Sequence, residues 1–548
     1  MTNGGQPMRL ATNRFAMLIA APVTVLMLAI LWLDRGNSGW AGELYNRVYL
    51  MSTWALLFTT LTLLSRRPWF AAGLSSTIIG GLWLSAYIKY QYLGAQLVLP
   101  DLEVAFLSSE TLLEMGLTPT LAVIGYLALL GLAFYWEKPW QVAWQYTTSA
   151  WLASITTLAL LNIPYFYVDL QWTTQAKHTL PTFVQSIWRT QLEEPANPNH
   201  ANYCCFKADA QAEQFTATPE KKPNIVVILE ESTFKPEQIV NFKAKAPFFP
   251  DAYPLRVYTA GGATWVQEIA FLHGVAPPLY GDGWRSINLF APGRLDGRIA
   301  PQLSAQGYVT KTIYPTAGRF YGGQRFHEQL GMQEFIDCTM IPECAKRKWN
   351  RMPDEVFFER ALSELKHEAK PTFMFMATMR QHSPHDKQRQ FSKQCAASLT
   401  PKQCSIMQDY EERLTASVAS YKKFLNQLKN LPERTIVVAF GDHIPGDVAA
   451  EFVDSDLYKQ DRYRTFFNLW DSQAGFVTEK ALTGRQFEKI DLAMLDSIVL
   501  DYAGFESHYL TDKLVHLQKC SGSFCGFDHN ETQQPTALTG TPQIPLLP

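Results

Sequence analysis

No cysteine precedes residue 204, although the 548-residue chain has eight: Cys204, Cys205, Cys338, Cys344, Cys395, Cys404, Cys520 and Cys525. None are paired as Cys-x-x-Cys, which argues against a zinc ribbon. An even count confined to one part of the chain suits disulfides made in an oxidising compartment. Cys338/Cys344, Cys395/Cys404 and Cys520/Cys525 are each close enough in sequence to staple a short loop. Net charge is lacking too. Lys and Arg total 48 against 50 Asp and Glu, a balance of -2 that argues against a general polyanion binder and against nucleic acid as a partner. There is no internal repeat, so no solenoid is expected.

The chain is too long for one ordinary core, and its two parts differ. Residues 1–168 are dominated by apolar runs. Five of these are long enough to cross a bilayer: Phe15–Leu33, Val48–Leu64, Phe70–Ile88, Leu117–Trp136 and Thr147–Val168. Arg9, Arg14, Arg66, Arg67 and Lys138 flank one set of span ends, and Arg35, Arg47 and Lys89 the other, an excess that favours an inside N-terminus. Five spans then put the remainder outside the cytoplasm, in agreement with the one-sided cysteines. Residues 169–222 form a connector, in which Phe183, Val184, Ile187, Trp188 and Leu192 after Pro181 have helical spacing. That helix suits either a membrane surface or plain packing. Residues 526–548, rich in Pro, Thr and Gln, have the composition of a disordered tail.

Residues 223–525 alternate between strand and helix patterns. Ile225–Leu229 is a short apolar run ending in Glu230-Glu231-Ser232-Thr233. Thr372–Met379 is nearly all apolar and ends at Arg380-Gln-His-Ser-Pro-His385, and Thr435–Phe440 ends at Gly441-Asp442-His443. Such runs are typical of strands buried on both faces of a parallel sheet. Further strands are expected at Arg256–Thr259 and Tyr308–Tyr314, with a helix end over Leu303–Gly307. Helices are expected over Val356–Leu365 and from Ile406 to Leu428, where apolar residues step by three or four. An α/β domain with a largely parallel sheet follows.

Ligands in such sheets gather at the carboxyl ends of the strands. Three strand ends here carry Glu230/Glu231, His382 with His385 nearby, and Asp442-His443. Each alone also suits a helix cap or a hydrogen-bonded structural group. Together they are an oxygen- and nitrogen-rich set that fits one divalent metal, Zn²⁺ or Mn²⁺. In the Gly261-Gly-Ala-Thr264 turn, glycine lets the backbone bring a hydroxyl close to a metal. A threonine so placed can act as a nucleophile on phosphorus.

Leu229-Glu-Glu-Ser232, Gly262-Ala-Thr-Trp-Val-Gln-Glu268, Gln381-His382 and Gly441-Asp-His443, behind five apolar spans, resemble the lipoteichoic acid synthase family. That family belongs to the alkaline phosphatase/sulfatase superfamily, which also holds the phosphoethanolamine transferases. The resemblance implies an N-terminal five-helix transmembrane bundle followed by an α/β sulfatase-like (alkaline phosphatase-type) extracytoplasmic domain. It implies Glu231, Thr264, Asp442 and His443 as metal ligands, with Glu230 as the fallback acid. Thr264 would be the nucleophile and His382 a catalytic group contacting the substrate phosphate. Glu268, four residues beyond Thr264, would belong to the substrate site.

Two departures divide the substrate. Where lipoteichoic acid synthases hold phosphoglycerol with a Trp and an Arg, Phe320-Tyr-Gly-Gly-Gln-Arg-Phe326 has Tyr321 and Gly323, with Arg325 two residues late. Tyr321 and Arg325 are therefore the expected substrate contacts. The cysteines are usual among phosphoethanolamine transferases of Gram-negative periplasms, whereas the Thr264–Glu268 motif leans towards phosphoglycerol. The expected enzyme is a multi-pass inner-membrane phosphotransferase with a periplasmic catalytic domain. Its donor would be a membrane phospholipid and its acceptor a glycan or lipid-glycan hydroxyl. A sulfatase proper is disfavoured because no Cys/Ser-x-Pro-x-Arg motif follows the first strand. A hydrolase, or an inactive lipid-binding scaffold, are the alternatives.

Overall fold

The structure, a computed structural model, describes residues 17–18, 20–25, 39–93, 97–99, 101–102, 117–140, 144–167, 181, 183–184, 215–239, 247–280, 284–290, 299–344, 352–387, 399–482, 486–519 and 521–522. Its contacts divide the chain into two units near Leu192. In the first unit, helices α1 (Gly39–Ser65), α2 (Pro68–Leu93), α3 (Leu117–Trp136) and α4 (Trp144–Tyr167) correspond to four of the five expected spans. The fifth, Phe15–Leu33, lies mostly outside the described residues.

Among the described residues, two helical stretches are long and apolar enough to cross a membrane: Leu44–Ser65 and Pro68–Tyr87. The apolar part of α3 is shorter, Ile124–Trp136. α4 carries Gln145, Thr147, Thr148, Ser149, Ser154, Thr156 and Thr157, which dilute its apolar character. α1 and α4 pack along each other and share hydrogen bonds: Tyr45 Oη donates to the Leu161 carbonyl at 3.0 Å, and Trp151 Nε1 donates to Thr60 Oγ1 at 2.9 Å. Leu121, Ile124 and Leu127 on α3 and Leu160 on α4 stand exposed, as lipid-facing side chains would.

The second unit is built on a nine-stranded sheet ordered β4-β3-β5-β1-β6-β7-β2-β9, with β8 on β7. In chain order the principal elements are β1 (Asn224–Glu230), β2 (Tyr253–Arg256), α5 (Thr264–Leu272), β3 (Val309–Tyr314), α6 (Gly323–Gln329) and β4 (Glu334–Asp337). There follow α7 (Asp354–His367), β5 (Thr372–Ala377), α8 (Pro401–Leu428), β6 (Thr435–Gly441), β7 (Arg464–Asp471), β8 (Gly475–Phe476) and β9 (Ile490–Asp491). Only β7 runs against the others, since β6, β2 and β8 all pair with it antiparallel while the remaining pairs are parallel.

β1 is central, between β5 and β6, and buried throughout. Its alternation divides the core. Ile225, Val227 and Leu229 pack under α5, and Val226 and Ile228 pack under α7 and α8. A strand covered on both faces has no polar side, which is why it appears in sequence as an unbroken apolar run. α8 begins earlier than the apolar spacing suggests, because Thr400 and Gln403 form a capping box.

The strand expected at Arg256–Thr259 is Tyr253–Arg256 instead. Beyond Arg256 the backbone leaves the ladder: the Tyr258 N–H donates to Gln267 Oε1 at 3.1 Å, and Thr259 Oγ1 donates to the Gly262 carbonyl at 2.6 Å. The second unit also starts before residue 223. Thr216 donates its backbone N–H to the Glu506 carbonyl at 2.8 Å, and Phe215 packs on Phe505.

Cys338 and Cys344 are bridged and close the loop after β4. Cys404 is disulfide-bonded as well. Its expected partner Cys395, the pair Cys520/Cys525, the vicinal Cys204 and Cys205, and the tail 526–548 lie outside the described residues. Non-reducing peptide mapping of the full chain is expected to recover Cys338–Cys344, Cys395–Cys404 and Cys520–Cys525 as linked pairs. Each short loop should contribute about 2–4 kcal/mol of stability. Free thiols at Cys395 and Cys404 would contradict the pairing.

Candidate active site

The carboxyl ends of β1, β5 and β6 meet because these three strands are neighbours. The Ser232 N–H donates to Asp442 Oδ1 at 2.6 Å, the Glu231 N–H to Thr378 Oγ1 at 3.3 Å, and the Thr378 N–H to the Leu229 carbonyl at 2.9 Å. Gly441 is obligatory at the end of β6, since a Cβ there would sit 1.9 Å from the Thr233 carbonyl oxygen. Glu231, Asp442 and His443 are all buried, and each offers a ligand atom within 4.8 Å of the others.

The turn before α5 brings Thr264 to this cluster. Gly261 and Gly262 have φ of 91° and 154°, which glycine adopts without strain, and Ala263 follows in the left-handed region at φ 65°. Gly261 docks on the loop after β6, donating its N–H to the Ile444 carbonyl at 2.9 Å. Thr264 then opens α5, and its Oγ1 donates to Glu231 Oε2 at 2.9 Å. Thr264 therefore lies at the positive end of a helix, a place that favours an anion.

The protonation pattern of these groups fits a cation. His443 Nδ1 lies 3.0 Å from the Ile444 carbonyl, which only accepts, so Nδ1 carries the hydrogen. The lone pair of Nε2 then faces Asp442 Oδ2 at 3.2 Å and Glu231 Oε1 at 3.5 Å. Nε2 and Asp442 Oδ2 are both buried without a hydrogen-bond partner among the described residues. Burial holds the His443 imidazole below its ordinary value, in the neutral form that ligates metals. Burial, then the Glu231 charge, pushes the Asp442 carboxyl well above its usual range. Burial also works to raise Glu231, but His443, His382 and its hydrogen bonds outweigh that and hold it low. A lone pair and two carboxylates turned towards one another, with orphaned atoms on two of them, are what a divalent cation would satisfy.

Glu230 is not part of this cluster. Its Oε2 accepts from Thr378 Oγ1 at 3.0 Å. Burial, and then the charge of Asp354, raise it well above the carboxylate range.

His382 lies in the loop after β5, close enough to Glu231 and His443 to act on both electrostatically. His385 is buried and pairs with Asp447, Nδ1 to Oδ1 at 3.0 Å.

Glu268 is fully buried on α5, below Thr264 in the chain. Its Oε1 accepts from Tyr314 Oη at 2.9 Å, and its Oε2 faces His327 Nε2 at 3.3 Å. A carboxylate accepts, so His327 donates from Nε2 and its Nδ1 takes the Thr312 hydroxyl at 3.2 Å. Both Glu268 oxygens are thus engaged within the protein.

Tyr321, with φ 48°, stacks on Trp265 at 5.2 Å between ring centroids. Arg325 is exposed on α6. No motif singled out Asn288, Arg285, Asp447 or Arg413. Asn288 Nδ2 donates to the Tyr321 carbonyl at 2.9 Å, and the Arg285 carbonyl accepts from Trp265 Nε1 at 2.8 Å. Asp447 follows Asp442-His443 so closely that its acid was visible, whereas Arg413 lies inside an ordinary amphipathic pattern.

Residues 223–475 match the Sulfatase family model. An uncharacterised protein of Haemophilus influenzae is 26% identical over 502 residues, covering 84% of this chain and 87% of the relative. A putative cyclic β-1,2-glucan modification protein of Rhizobium meliloti is 22% identical over 314 residues, 54% of this chain and 48% of that one. Among solved structures, a Streptococcus pyogenes phosphoglycerol transferase in complex with sn-glycerol-1-phosphate superposes with a TM-score of 0.47 at 15% identity, over 59% of this chain and 85% of the other.

Proposed function

We propose, from the premise that residues 223–475 form a domain of the sulfatase family, that the chain is a membrane-anchored, metal-dependent phosphotransferase. It moves the headgroup phosphate of a membrane phospholipid, by way of a covalent Thr264 intermediate, to a glycan or lipid-glycan hydroxyl. The observation that carries this reading is the Thr264 hydroxyl, bonded at 2.9 Å to Glu231 Oε2, whose carboxylate converges with Asp442 and His443. A scaffold has no use for a nucleophile placed against a metal-binding set.

A zinc or manganese ion held by Glu231, Thr264, Asp442 and His443 would lower the proton affinity of the hydroxyl and offset charge on the phosphoryl oxygens. Thr264 Oγ bonds to phosphorus as the bond from phosphorus to the diacylglycerol oxygen breaks. The Thr264 proton, directed at Glu231 Oε2, is lost to solvent through that carboxylate. The leaving oxygen takes a proton from His382 Nε2. In the second half the acceptor hydroxyl returns its proton to His382 and bonds to phosphorus as the bond from phosphorus to Thr264 Oγ breaks, and Thr264 Oγ regains its proton from solvent through Glu231.

Tyr321 and Arg325 serve the headgroup, and the Thr264–Glu268 spacing favours phosphoglycerol. Phosphoethanolamine is the second reading, favoured by the Trp265–Tyr321 stack, whose faces suit an ammonium. A glycan acceptor is supported by the glucan modification named for the Rhizobium meliloti relative. The one-sided cysteines and the charges at the span ends support a five-span anchor in the inner membrane of a Gram-negative bacterium, with the catalytic domain in the periplasm.

The test offers the full chain, loaded with zinc or manganese, vesicles of phosphatidylglycerol and phosphatidylethanolamine in equal amounts with a β-glucan acceptor. Diacylglycerol release with phosphoglycerol on the glycan is expected. Phosphoethanolamine on the glycan would overturn the headgroup assignment alone. Free glycerol phosphate with an unmodified acceptor would make the enzyme a hydrolase, and no release from either lipid would favour the lipid-binding scaffold.

A further inference from the structure

The loop that carries His382 is held by two groups outside the metal-binding set. Asp447 lies in the short helix Gly446–Glu451, directly after Asp442 and His443. Its Oδ1 accepts from Ser383 Oγ at 2.7 Å and from His385 Nδ1 at 3.0 Å, and its Oδ2 accepts the His385 backbone N–H at 2.6 Å. Burial alone would raise this carboxyl, but the bonds from His385 and Ser383 outweigh it and hold Asp447 well below the usual range. From α8, the Arg413 guanidinium donates to three carbonyls of the same loop: His382 at 2.9 Å, Pro384 at 3.0 Å and Arg380 at 3.3 Å. Asp409, one turn earlier on α8, fixes the guanidinium at 2.7 Å.

These bonds converge on one atom that matters for chemistry. The Ser383 carbonyl lies 2.6 Å from His382 Nδ1. A carbonyl only accepts, so Nδ1 keeps the hydrogen, and Nε2 becomes the nitrogen that exchanges a proton. Ser383 is fixed through its own hydroxyl to Asp447, and the residues on either side of it are fixed through their carbonyls to Arg413. The loops after β5 and β6, on the two sides of β1, are thereby joined through Asp447.

We propose that Asp447 and Arg413 are positioning residues for His382, holding the Ser383 carbonyl so that the imidazole presents Nε2 to the leaving oxygen. The inference rests on His382 being the proton donor of the reaction described above. It goes further in assigning the orientation of the ring to a carboxylate and a guanidinium that themselves touch neither substrate nor metal.

Leaving-group dependence separates this role from a merely structural one. Diacylglycerol leaves as an alkoxide and needs a proton, whereas p-nitrophenolate leaves without one. Full-length Asp447→Ala and Arg413→Ala, loaded with zinc or manganese, are assayed on phosphatidylglycerol and phosphatidylethanolamine vesicles. The same proteins are assayed on the p-nitrophenyl phosphodiesters of glycerol and ethanolamine. On the lipids kcat is expected to fall about 10²-fold with little change in KM, while the burst of nitrophenolate from the esters, which reads the first half-reaction alone, loses less than about threefold. Metal content should be unchanged, and Arg413→Lys, which keeps a charged donor group without the planar fork, should recover part of the lipid activity.

Equal losses on both substrate types, or an unaltered kcat on lipid, would overturn the proposal. Should an alanine variant fail to fold, Ser383→Ala removes one bond of the same network and is held to the same pattern at smaller amplitude. His382→Ala is the control. If it also loses equally on both substrate types, His382 is not the proton donor and the mechanistic reading fails with it. If it shows the leaving-group split and Asp447→Ala does not, only the positioning role is lost.

Discussion

Thr264→Ala is expected to lower turnover by at least about 10³-fold, because it removes the atom that bonds to phosphorus in the proposed reaction. Most of the bound metal should remain, since Glu231, Asp442 and His443 keep their places. The Thr264 hydroxyl makes one contact with this set, its bond to Glu231 Oε2. The local fold should also survive: Thr264 is the first residue of α5, and the turn before it is held by Gly261 on Ile444 rather than by the threonine side chain. Thr264→Ser preserves the hydroxyl and should retain much of the activity. Elemental analysis of the purified variant, with diacylglycerol release from vesicles, reads both quantities. Turnover close to wild type in Thr264→Ala would make a bound water the nucleophile.

Asp442→Ala and His443→Ala are expected to lose metal and activity together, again by about 10³-fold or more in turnover. Each removes one of the donors that converge within 4.8 Å. Asp442 has a further task, because its Oδ1 accepts the backbone N–H groups of Ser232 and His443. Its loss therefore loosens the turn that carries Glu231. Asp442→Asn retains an acceptor for those two N–H groups and separates the roles: it should keep the fold and still bind metal poorly, since it cannot supply the charge. Full metal content in His443→Ala would remove the imidazole from the ligand set.

The cluster of Glu231, Asp442 and His443 was legible because each of the three follows a strand that is apolar on both faces. Such strands stand out as short unbroken runs, and the acids and histidines that stop them mark the sheet edge. Glu231 could not be separated from Glu230 by chemistry in the sequence. The structure separates them by their partners, Thr264 for one and Thr378 for the other. β2 was displaced by three residues because Tyr258 and Thr259 carry strand-like side chains but bond to Gln267 and Gly262 across a turn. β7, Arg464–Asp471, is fully buried from Thr465 onward, yet it was not anticipated: its alternation is obscured when both faces are covered. Contacts made between distant segments left no local sign. Arg413 reaches three carbonyls of the His382 loop from the middle of a helix whose spacing speaks only of packing. Glu268 was expected at the substrate from the family resemblance of its motif, and its bonds to Tyr314 and His327, which depend on β3 and α6, left no sign in that motif.

The central claim is that Thr264 carries the phosphoryl group between donor and acceptor. It is tested most directly by the mass of the Thr264-containing peptide, after the metal-loaded full chain is held with phosphatidylglycerol and phosphatidylethanolamine and no acceptor. The account predicts a glycerophosphoryl adduct on Thr264 that disappears when a glycan acceptor is added and never forms in Thr264→Ala. An unmodified Thr264 peptide, in a protein that releases diacylglycerol from the same vesicles, would contradict it.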